Sequence, residues 1–160
     1  MTSQALQTVI EAADRAISAE DFDGLMAFYA EDATLVVQPG MAVTGKARIR
    51  KAFVAIADHF NHRLTVRQGP MQVIEGGDTA LVVMKTFLDT VDSDGWDLTL
   101  VRRASYVFKR SDDGEWLCTV DNSYVRICWI LPPPRQENRS EADVPGGGGR
   151  MALCKGRRAS

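Results

Sequence analysis

Cysteine is scarce in this sequence: only Cys118, Cys128 and Cys154 occur among 160 residues. No CxxC spacing joins them and any pairing leaves one thiol over, which excludes a disulfide framework and points to a reducing cytoplasm. Apolar runs are short as well. None approaches the ~18 residues of a membrane-spanning helix, and the first residues lack a signal-peptide core, so no membrane partner is expected. Histidine is limited to His59 and His62. This HxxH pair lacks a Glu and further ligands at zinc spacing, so no metal is expected. Gly-x-Ser-x-Gly, a Cys–His pair and a dinucleotide fingerprint are all missing. Gly146 to Gly149 has neither a strand before it nor a Lys-Ser/Thr after it, and so is no phosphate loop. No cofactor is implied. An excess of one charge sign is lacking too: 19 basic against 21 acidic residues, net −2, disfavours a nucleic-acid partner.

That balance is a cancellation between two segments. Residues 125–160 hold seven basic and three acidic residues, a net of +4, whereas 1–124 hold 12 basic and 18 acidic, a net of −6. The last 36 residues also contain four of the six prolines and five of the thirteen glycines. Pro132-Pro133-Pro134 blocks a helix and Gly146 to Gly149 is maximally flexible, and little apolar patterning follows Leu131. The reading is a domain over 1–124 and a basic, Pro/Gly-rich, largely disordered tail over 125–160. The break in composition after Tyr124 also fits a shifted reading frame or a fusion scar.

Within 1–124, helices come first. Leu6, Val9, Ile10, Ala13 and Ile17 recur at helical spacing, with Ser3 as cap, over about 3–18. Asp21 caps a short second helix whose buried stripe is Phe22, Leu25, Phe28 and Tyr29. Ala33 to Val37 is a short strand. A third helix follows Gly45, with Ile49, Phe53, Ile56 and Phe60 inward and Lys46, Arg48, Arg50 and Lys51 on a solvated face. From His62 the period becomes two: strands over 63–74 (interrupted at Gly69-Pro70), 79–91, 96–110 and 115–124, separated by Gly/Asp turns, form an antiparallel meander. Strands of 13–15 residues span roughly 45–50 Å and must twist and curl. The fold class is α+β, with three N-terminal helices packed in the concavity of a strongly curved antiparallel sheet.

Tyr29-Ala30-Glu31-Asp32-Ala33-Thr34, then Gly45-Lys46-Ala47-Arg48-Ile49-Arg50-Lys51-Ala52-Phe53, and finally Asp113-Gly114-Glu115-Trp116-Leu117 resemble the SnoaL-like, ketosteroid-isomerase-like superfamily. The likeness covers about 3–124. It implies a cone-shaped α+β barrel with an apolar pocket, commonly dimeric through the sheet. It implies no single activity, because this architecture hosts isomerases, cyclases, dehydratases and non-catalytic association domains. The isomerase base falls at Val37 and the oxyanion-holding tyrosine at Ala13, so steroid isomerisation lacks both of its catalytic groups. Matching Gly114 to the Gly-rich turn of SnoaL-like cyclases puts Asp121 at their acid/base aspartate.

Strand alternation leaves the last strand open. Trp116, Cys118, Val120 and Asn122 share one face; Leu117, Thr119, Asp121 and Ser123 share the other. If the Trp116 face lines the core, Asn122 enters the pocket and Asp121 does not, unless a bulge re-aims the strand. Arg102 is in phase with Leu98, Leu100, Ala104, Tyr106 and Phe108, so its charge needs a cross-strand carboxylate or an anionic ligand. Tyr29 and Tyr106 offer hydroxyls, and Trp116 a pocket wall. The expected function is a small-molecule pocket, with Asp121 catalytic and Arg102, Asn122, Tyr29, Tyr106 and Trp116 binding a small apolar or aromatic metabolite. The alternative is a non-catalytic ligand-binding or association module. A homodimer through the sheet suits either.

Overall fold

A computed structural model describes residues 1–123; the tail assigned to 125–160 lies outside them. The amphipathic N-terminal stretch forms α1 (Thr2–Ser18), burying Leu6, Ile10, Ala13 and Asp14. Its N-cap is Met1, without a side-chain bond, so Ser3 does not cap it. Asp21 does cap α2 (Phe22–Leu25), accepting the Gly24 amide at 2.9 Å. A single 3₁₀ turn (Met26–Phe28) then ends the helical run. Tyr29 therefore opens β1 (Tyr29–Gln38) and does not belong to the helical stripe. The turn at Gly40 (φ +80°) leads into β2 (Met41–Thr44), a short edge strand that the composition does not announce. After Gly45, α3 (Lys46–His59) buries Ile49, Phe53 and Ala57 at four-residue spacing.

The remaining strands are β3 (Thr65–Gly76), β4 (Thr79–Val91), β5 (Asp97–Arg110) and β6 (Trp116–Asn122). One six-stranded sheet runs β2-β1-β6-β5-β4-β3. The meander is antiparallel as the turns require, but β1 joins β6 in parallel, so the sheet is mixed. Alternation on β4 is strict: Ala80, Val82, Met84, Thr86, Leu88 and Thr90 face in. The apolar members of this row near its start, Ala80, Val82 and Met84, pack with the apolar faces of α1 and α3 into one core. Phe28 anchors it, meeting the rings of Tyr29, Tyr106 and Phe108 edge-on at 4.9, 6.0 and 5.4 Å. Each such contact adds about 0.5–1.5 kcal/mol beyond area burial.

Gly69-Pro70 bends β3 without ending it. Gln68 pairs with Thr86 and Met71 with Met84, so β3 carries one residue more than β4 there. A side chain at Gly69 would press on the Lys85 carbonyl, and β3 is an edge strand that tolerates Pro70.

Candidate functional site

The site is set by a bulge in β6. Trp116 and Cys118 point inward, and plain alternation would bring Val120 and Asn122 in next. Instead Phe108 pairs with Cys118 and Val107 with Val120, one step on β5 against two on β6. Thr119 is the extra residue, and its hydroxyl donates to the Val107 carbonyl at 3.0 Å. Beyond it the phase inverts: Val120 turns outward, while Asp121 (3% exposed) and Ser123 turn inward.

Asp121 lies beside Tyr106, its ladder partner on β5, and Leu35 on β1. The Tyr29 hydroxyl donates to Oδ2 at 2.7 Å, and the Ser123 hydroxyl donates to Oδ1. Tyr29 reaches this far because the 3₁₀ turn delivers it to the strand start directly beside β6. Burial pushes the Asp121 carboxyl above its ordinary range, while the two hydroxyls and the Arg102 guanidinium pull against that shift. Burial likewise raises both tyrosines, which stay protonated donors.

Arg102 lacks the cross-strand carboxylate its phase suggested. Its Nη1 donates to the Ser123 carbonyl at 2.9 Å, and its Nε is buried without a partner. It belongs to a row running across the sheet, Gln68–Thr86–Arg102, in which Gln68 Nε2 and Thr86 Oγ1 are also unpartnered. Asp14 of α1 neighbours this row, with Oδ2 buried and unpartnered. Desolvation pushes Asp14 up to about 6; Gln68 and Arg102 pull it down, and the like charge of Asp121 adds to the rise.

Asp14, Arg102 and Asp121 floor a cavity of about 850 Å³, within the range of small-molecule sites. Asp14, Tyr29, Arg102, Tyr106, Asp121 and Ser123 supply its polar end; Leu25, Phe28, Leu35, Phe53, Ile56 and Leu100 supply apolar wall. Asn122 and Trp116 do not line it. Asn122 is half-buried outside it with Oδ1 unpartnered, the consequence of the bulge. Trp116 is buried with the Arg110 guanidinium over its ring at 4.7 Å. At this polar end Asp14 and Ser123 are the residues that sequence reading misses, and Arg48 and Lys51, read there as part of a solvated face, also line the cavity. A carboxylate on the apolar stripe of an amphipathic helix was the available signal for Asp14. Among the described residues no group of three or more His, Cys, Asp or Glu is arranged to hold a metal.

A curved mixed sheet, helices on its inner face and a cavity floored by a buried carboxylate define an α+β domain of the cone type. The chain belongs to the SnoaL-like domain family, whose pattern it matches over residues 6–118. Solved structures agree on the fold. Aln2 from a Streptomyces species superposes with a TM-score of 0.69 at 17% identity, over 77% of this chain and 89% of that one. An NTF2-like protein with a cystatin-like fold from Novosphingobium aromaticivorans gives 0.69 at 18% identity, over 80% and 84%. The association domain of C. elegans CaMKII gives 0.63 at 20% identity, over 78% and 95%. No curated protein matches the sequence.

Proposed function

We propose that the chain is a small-molecule-pocket protein carrying out cofactor-free acid/base chemistry, of cyclase, isomerase or dehydratase type, on an apolar substrate with a polar tip. One observation supports this above all: Asp121 is a buried carboxylate on the cavity floor, held by two hydroxyls beside the half-buried Arg102. A desolvated carboxylate with a raised pKa takes a proton from an activated C–H or O–H and returns it at another atom of the substrate. As the carboxylate gains the proton, the electron pair it leaves behind moves to the substrate oxygen, where Arg102 and the Tyr106 hydroxyl are the nearby positive and donor groups. Tyr29 and Ser123 hold the carboxylate in place.

Metabolite capture from native cell extract, read by native mass spectrometry, tests this. The wild-type protein should convert the captured compound to an isomer or to a product lighter by one water, and Asp121→Asn should bind it unaltered. A compound left unchanged by both proteins would support a second reading, a non-catalytic ligand-binding or association module. What favours that reading is that two structural neighbours are named association domains; the outer sheet face carries one cross-strand apolar row, Ile74, Leu81, Val107 and Val120. A homodimer through this face is part of both readings, and buried, free Cys118 suits a cytoplasmic setting.

A further inference from the structure

The cavity carries ionisable groups at both ends, carboxyl groups with one guanidinium at the floor and cations alone at the mouth. Its two carboxylates, Asp14 and Asp121, are buried at the floor. Its lining also includes Arg48 and Lys51, both exposed and therefore at the mouth, on the face of α3 that looks into the cavity. Four cations crowd the first half of this helix, and they divide cleanly. Lys46 pairs with Glu31 at 2.7 Å and Arg50 with Asp23 at 2.6 Å. Arg48 and Lys51, the two that line the cavity, have no carboxylate within ion-pair distance among the described residues. No acidic residue stands in the first turn of α3, where one would ordinarily offset the positive end of the helix. Two unneutralised cations at an apolar opening are notable in a segment of net −6.

From this arrangement we infer that the cavity selects an anionic amphiphile: an apolar body whose carboxylate, phosphate or sulfate stays at the mouth against Arg48 and Lys51, and whose neutral hydroxyl or carbonyl tip enters toward Asp121. Orientation follows from charge. An anionic end placed at the floor would meet two buried carboxyl groups and a single guanidinium that already donates to the Ser123 carbonyl, whereas at the mouth it meets two cations and stays hydrated. Arg48 and Lys51 are thus specificity-determining residues, and they fix which end of the substrate reaches the proton shuttle. The inference rests on the pocket reading above.

Calorimetric titration with hydroxybiphenyl carboxylate and its methyl ester separates the two. The ester keeps the apolar body and the hydroxyl tip and removes only the charge. The acid should bind roughly ten-fold more tightly at low ionic strength, a preference that shrinks as salt rises, as for other solvent-exposed charge pairs. In Arg48→Gln/Lys51→Gln the acid should fall to the affinity of the ester, while Lys51→Arg should keep the preference. Equal binding of acid and ester by the wild-type protein overturns the assignment of the mouth and leaves the pocket standing. Binding of neither overturns both. An acid preference that survives the double substitution also overturns it, because the anion is then held elsewhere.

Discussion

At the scale of single residues, Asp14 shows how a carboxylate can take part in a site without belonging to a motif. Its neighbours Ala13 and Ile17 mark it as lying on a core-facing stripe, and that stripe is what the periodicity makes visible. What the periodicity hides is the row Gln68–Thr86–Arg102, assembled from three strands distant in sequence. Gln68 and Arg102 of that row favour the ionised aspartate, but less than burial disfavours it. The consequence is a stability that depends on pH. In the unfolded chain Asp14 titrates near its ordinary 3.8; in the folded protein it titrates at about 6. Because the folded value is the higher one, the contribution of this group to folding is fully present below the unfolded pKa and is lost as pH rises through the folded one. About two units of difference correspond to about 3 kcal/mol. Asp14→Asn removes the ionisation, so its stability relative to the wild type should improve by up to about 3 kcal/mol between pH ~4 and pH ~7. Urea midpoints measured across that interval check it; a constant difference between the two proteins would mean that Asp14 does not titrate there.

At the scale of elements, most of the fold was legible because the signals are local. The helical stripes of α1 and α3, the Asp21 cap and the glycine turns between β3 and β6 all lie within a few residues of what they specify. Two features are not local. The parallel pairing of β1 with β6 joins segments about 90 residues apart, and nothing in either strand announces its partner. The Thr119 bulge is invisible to alternation, which is why Asp121 and Asn122 are rivals until register is known. Plain alternation favours Asn122, and one extra residue reverses that. Gly69 is a different case, a break in pattern that reads as an interruption but is a bend. A Cβ built there lies 2.9 Å from the Lys85 carbonyl oxygen and 3.0 Å from the Phe87 ring. Backbone cannot give way as a flexible side chain would, so Gly69→Ala should destabilise the protein by about 1–3 kcal/mol. Gly114→Ala is the comparison: its φ of +85° strains any side chain, but the space is empty. Thermal unfolding of both variants separates crowding from backbone strain, and a harmless Gly69→Ala would show that β3 is free to move away from β4.

At the scale of the whole molecule, sidedness is what matters. The inner face of the sheet is committed to the core and the cavity, yet the outer face is not the polar surface that an isolated sheet usually presents. Ile74 and Leu81 are directly paired, as are Leu81 and Val107, then Val107 and Val120, giving an apolar band across four strands. Ile74 is 49% exposed and Val101, further along β5, is 49% exposed. Beside this band Lys85 faces Arg103 directly across the ladder, a like-charge pair that is unfavourable unless something offsets it. The apolar band calls for a covering surface, whereas the Lys85/Arg103 pair is best left to water at its edge; a second copy is the cover we propose, because a two-fold axis brings an apolar band against itself. Sedimentation velocity should therefore show a dimer. Leu81→Lys puts a charge in the middle of the band and should shift the protein to a folded monomer, since Leu81 makes no part of the core, with a thermal midpoint that falls by the dimer's contribution and no longer depends on protein concentration. A variant that stays dimeric would place the interface elsewhere. A wild-type protein that is monomeric at high concentration would leave the band to a different partner, and would remove the dimer from both functional readings while leaving the cavity chemistry intact.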